Sequence, residues 1–144
     1  MFDPSRDQVR RFFLQSHVKQ RQGLALSAME QMAADIVTRH PEYHALFEGD
    51  EATLLSRDWH PEEGRMNPFL HLSLHLALEE QLGIDQPPGI RAIYEQQCRL
   101  AGDEHEARHR LLDCLGQMIW ECQRQGVPPN PERYLELLHK LVGR

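Results

Sequence analysis

Asn67-Pro68-Phe69-Leu70-His71-Leu72-Ser73-Leu74-His75-Leu76-Ala77-Leu78 is the stretch on which the fold of this chain turns. An Asn that caps free amide groups, followed by Pro at the first helical position, marks the start of a helix. Leucines then occupy every side of it, so the helix is apolar nearly all round and belongs at the centre of a helical bundle. His71 and His75 stand four residues apart, one helical turn, and can therefore aim two imidazoles in the same direction.

A second pair repeats that spacing. His105-Glu106-Ala107-Arg108-His109 has the His-Glu-x-x-His pattern of metal-dependent hydrolases. Seven of the nine histidines lie between His40 and His109, which makes a metal site the sharpest functional expectation. The pattern has a plain alternative: Glu106 is equally accounted for as the third residue of a capping box closed on Asp103.

The rest of the chain reads as helix by the same signals. Asp3-Pro4 and Asn130-Pro131 mark further starts, and Ser27 with Glu30 reads as a capping box. Gly23, Gly83, Gly102 and Gly126 sit where periodic segments end and serve as expected C-caps. These marks divide the chain into helices at about 4–22, 28–40, 68–82, 89–101, 104–125 and 131–142, with a short turn of helix near 42–48. Apolar stripes agree: Val9, Phe12 and Phe13; Met32, Ala33, Ile36 and Val37; Leu112, Leu115, Ile119 and Cys122. No alternation of period two calls for a sheet. The expected fold is a single all-α domain over residues 1–144, an up-down bundle of about five to six helices with one long irregular loop at about 49–66. Leu54, Leu55 and Trp59 would pack that loop as a flap.

Short connections make successive helices antiparallel. On that topology the helices that begin at Pro68 and Glu104 run parallel, and both histidine pairs fall roughly 3–11 Å above their helix starts. His40 and His44 arrive at the same pole. The expected ligands of one mononuclear zinc or iron ion are therefore His71, His75, His105 and His109, with His44 or Glu79 as supplements. Of the two imidazoles flanking Pro41, His44 is the expected contributor and His40 a helix-end cap. Glu106 is the candidate general base on a metal-bound water. His60 is a weaker candidate. His17, placed at the opposite pole, is expected at the surface.

Composition narrows the partners. A net charge of -6 leaves no basic excess for a nucleic-acid backbone. No run approaches the eighteen apolar residues of a membrane helix. Three cysteines without a paired short spacing suit a reducing cytoplasm, and no signal peptide is read at the N-terminus. A small molecule, another protein or a second copy of the chain remain as partners, with Phe12, Phe13 and Trp120 available to a homodimer seam. The rival to metal binding is an interaction or scaffold protein whose histidines form a structural or pH-sensitive cluster.

Five separated segments also occur in a recognisable order: Met1-Phe2-Asp3-Pro4-Ser5-Arg6, His40-Pro41-Glu42-Tyr43-His44, Asn67 through His75, Ile84-Asp85-Gln86-Pro87-Pro88-Gly89-Ile90-Arg91, and His105 through His109. In this the chain resembles a proteobacterial family of small proteins of unknown function, domain of unknown function 1841. The resemblance implies a helical bacterial protein of the cytoplasm and carries no activity or catalytic residue with it.

Overall fold

A computed structural model of the protein describes residues 6–56 and 68–143. Among them every regular element is helical. In chain order these are α1 (Arg6–Arg21), α2 (Ala28–Thr38), a 3-10 turn (Pro41–Tyr43), α3 (His44–Phe47), α4 (Glu51–Ser56), α5 (Pro68–Ile84), α6 (Ile90–Ala101), α7 (Glu104–Gln125) and α8 (Pro131–Val142). The all-α class stands, but the expected count of five to six helices is corrected to eight among the described residues. Beyond the six long helices, α3, of four residues, falls in the short turn expected near 42–48, and α4, of six, lies in the expected loop. Each is too short for an apolar period to show in sequence. Trp59, His60 and the cap residues Asp3, Pro4 and Asn67 lie outside the described residues.

The chain packs as two compact units, Met1–Leu76 and Ala77–Arg144, and α5 carries the backbone from one to the other. In the first unit Phe13, Ala33, Ile36, Val37, Phe47, Leu54, Phe69 and Leu72 form one apolar cluster. The α1–α2 corner is closed by Gly23, whose φ of 72° suits a residue without a Cβ. Ser27 and Glu30 complete their reciprocal capping box. Glu30 also accepts from Lys19 Nζ at 2.6 Å, which ties the start of α2 to the end of α1. That bond is the leading reason the Glu30 carboxyl is held below the usual range.

Part of the expected loop is helix for a tertiary reason. Asp50 caps α4 by accepting from the Thr53 amide at 3.3 Å, and Leu54 is buried. The far end is sealed from outside the segment. Arg10 of α1, itself buried, donates through Nη1 to Leu54 O at 2.9 Å and Leu55 O at 3.1 Å, and its guanidinium lies over the Phe69 ring. A short helix with a satisfied end and a core leucine can persist where an isolated six-residue peptide would not.

The second unit is a more ordinary helical assembly. Leu111, Leu112, Leu115, Met118 and Cys122 of α7 are buried, as are Ile90 and Ile93 of α6 and Tyr134, Leu137 and Leu138 of α8. Asn130 caps α8 by accepting from the Glu132 and Arg133 amides, with Pro131 at the first position. α5 runs past Gly83 to Ile84, and Asp85 takes the left-handed conformation instead, with φ 52°. The Asp85 carboxylate accepts from the Arg91 amide at 3.0 Å. The Arg91 guanidinium in turn donates to Leu82 O and Gly83 O, in the last turn of α5.

Candidate metal centre

Three imidazoles meet inside the first unit. His71 and His75 project from successive turns of α5, and His40 comes from the residue between α2 and the 3-10 turn. Pro41 explains the position of His40. Proline disfavours helical backbone at the preceding residue, so the chain leaves α2 and His40 adopts φ -121° and ψ 69°. Its ring then folds back over the helix end it has just left. Nδ1–H donates to Ile36 O at 2.7 Å. A carbonyl can only accept, so the tautomer is fixed with the proton on Nδ1 and the lone pair on Nε2. The ring is 1 % exposed.

The separations suit shared coordination. Ring centres lie 4.5 Å apart for His40 and His75, 4.7 Å for His71 and His75, and 5.1 Å for His40 and His71. His71 Nε2 and His75 Nε2 face each other at 3.2 Å. With metal–nitrogen bonds of about 2.0–2.1 Å, two imidazoles on a tetrahedral ion hold their nitrogens roughly 3.3 Å and their ring centres roughly 5 Å apart. The ligand atoms of His40, His71 and His75 all lie within 4.8 Å of one another, so the set needs a small contraction rather than a rearrangement. The cluster is able to chelate a metal ion. Tyr43 stacks on His40 with centroids 5.7 Å apart and planes inclined by 8°, and stands edge-on to His71 at 6.2 Å. Burial, and next the Glu42 charge, push its phenol up from the ordinary value.

Sequence-predicted residues are distributed unevenly around this geometry. His71 and His75 are together. His44 is turned elsewhere: its Nε2 donates to Val37 O at 3.0 Å, and its ring neighbours His17 at 6.0 Å. The imidazole that joins the pair on α5 is His40. The signal for it was the His-Pro junction, which swings a side chain back across the helix C-terminus. His17, expected at the surface, is buried.

In the second unit His105 and His109 stack edge to face with centroids 4.3 Å apart. His109 Nδ1–H donates to His105 O at 2.9 Å, which leaves its lone pair on Nε2 by the same carbonyl argument. Glu79, one turn beyond His75, accepts from Arg108 Nε at 2.5 Å. Asp103 caps α7 by accepting from the His105 and Glu106 amides. The Glu106 carboxylate lies 3.7 Å from Arg110 Nε and is largely exposed.

Helical architecture and a chelating imidazole cluster together define an all-α protein with metal-binding capability. The chain belongs to the family described as Domain of unknown function (DUF1841), whose model matches residues 5–140. No curated protein and no solved structure matches it. Among the described residues no helix is long and apolar enough to cross a membrane.

Proposed function

We propose that the protein binds a transition-metal ion through His40, His71 and His75. The observation that carries the reading is the opposed pair of Nε2 atoms on α5 at 3.2 Å, beside a third ring whose tautomer a carbonyl has fixed. His44 is reserved for other contacts, and Glu79 for Arg108.

An all-imidazole shell suits zinc before iron, whose non-haem sites characteristically include a carboxylate. The three donors come from the end of α2 and from α5, so the proposed role is a structural brace between these two helices rather than hydrolysis. Glu106 supports that choice, since its carboxylate is directed to Arg110. Elemental analysis of untagged protein is expected to find about one equivalent of metal at this cluster, lost in a His71→Ala/His75→Ala variant that still folds. Metal-free wild type that takes up none on titration defeats the proposal.

A further inference from the structure

His17 on α1 is an imidazole withdrawn from water for which the cluster above has no use. It is 7 % exposed, and neither Nδ1 nor Nε2 has a hydrogen-bond partner. Leaving a buried polar group unsatisfied costs free energy, and a phenylalanine could fill this place against Phe47, 5.5 Å away, without that cost. A second imidazole faces it. The His44 ring is 6.0 Å distant and inclined by 35°. Because His44 donates to Val37 O through Nε2, its neutral form keeps the Nδ1 lone pair for another partner.

Glu48 follows His44 by one turn, and its charge acts on His17. It rests 3.7 Å from Arg21 Nη1, with both side chains 61 % exposed, a loose surface pair of little intrinsic strength.

We propose that His17, His44 and Glu48 form a second site for a divalent cation of the zinc class, separate from the His40–His71–His75 cluster and independent of it. Two imidazoles and a carboxylate are a common zinc donor set. Ring centres 6.0 Å apart correspond to a nitrogen–metal–nitrogen angle of roughly 140° with bonds of about 2.0–2.1 Å, wider than tetrahedral, as expected before the third ligand closes. Closure requires Glu48 to exchange Arg21 for the ion, and its negative charge offsets half that of the cation. Arg21, one turn beyond His17, is the built-in competitor for the carboxylate.

Titration of Zn²⁺ into untagged, chelator-stripped full-length protein tests this directly, with Co²⁺ absorption as a spectroscopic check. Wild type is expected to take two equivalents, and His17→Ala one. His71→Ala/His75→Ala should also take one, and in it the remaining ion reports on His17, His44 and Glu48. Glu48→Gln alters only an exposed side chain, so it tests the site even where His17→Ala folds poorly. It should weaken one of the two binding steps on the order of ten-fold or more. Saturation at one equivalent that disappears in His71→Ala/His75→Ala overturns the second site and leaves the first. A single equivalent that disappears in His17→Ala does the reverse. Two equivalents of unchanged affinity in Glu48→Gln overturn the assignment.

Discussion

The two units treat buried polarity in opposite ways. In the first, Arg10, Ser16, His17, His40 and His75 are all buried, whereas Gln97 is the one buried polar residue of the second among those described. Polar groups in the second unit sit at its margins as paired charges. Arg133 holds Glu121 at 2.8 Å, which brings the Glu121 carboxyl down to about 2, and Arg110 Nη1 donates to Gln97 at 3.0 Å. Burying a polar group costs free energy unless a partner meets it. The second unit keeps most of its polar groups where partners or solvent meet them, whereas the first withdraws several of them from water.

That contrast can be broken or sharpened by substitution, starting with the largest effect. Leu111→Ala empties a fully buried position of α7 and should cost about 2–5 kcal/mol of unfolding free energy, read from denaturant melts. A much smaller loss would mean that the second unit is loosely packed and the contrast misdrawn. Arg10→Met keeps a long apolar stem but strips the donor from Leu54 O and Leu55 O. About 1–3 kcal/mol should go, with α4 the first segment to gain proteolytic sensitivity. Asn130→Ala removes the α8 cap and should cost about 1 kcal/mol, with no change in metal uptake.

The last substitution is the mildest at neutral pH. Burial, and then the charges of Arg21 and His44, lower the His17 pKa from its ordinary 6.5. Between that value and the lower folded one, the unfolded chain binds the proton and the folded chain does not. Stability should therefore be lost as pH falls below about 6.5 and be complete above it. In chelator-treated His17→Phe this part of the pH dependence should vanish, so its melting temperature should change less than that of wild type from pH 7 to pH 5. Parallel curves for the two proteins would remove His17 as the cause.

Sequence reading reached the long helices through their caps. The Ser27–Glu30 box and Asn130-Pro131 are local devices, complete within a few residues, and both are found where the pattern put them. His71 and His75 were legible for the same reason, since one helix fixes their relation. α3 was legible only as a short turn near 42–48, and α4 was not, because a helix of under two turns shows no period and its stability comes from Arg10, more than forty residues away in the chain. Pro41 breaks the helix at His40, so local reading makes His40 a helix-end cap and His44 the ligand. What separates them is which carbonyl each ring reaches, Ile36 O or Val37 O, a one-residue difference at the end of α2. The burial of His17 depends on Phe47 and His44 arriving from α3, a tertiary contact that no local spacing announces.

The connection between α5 and α6 has a practical consequence for engineering. Asp85 latches forward onto the Arg91 amide while Arg91 reaches back to the carbonyls of Leu82 and Gly83. New chain ends or a fused reporter placed between Pro87 and Pro88 would part the two halves of this clasp and fray both helices. Residues 127–129, exposed between α7 and α8, are the better point for an inserted reporter.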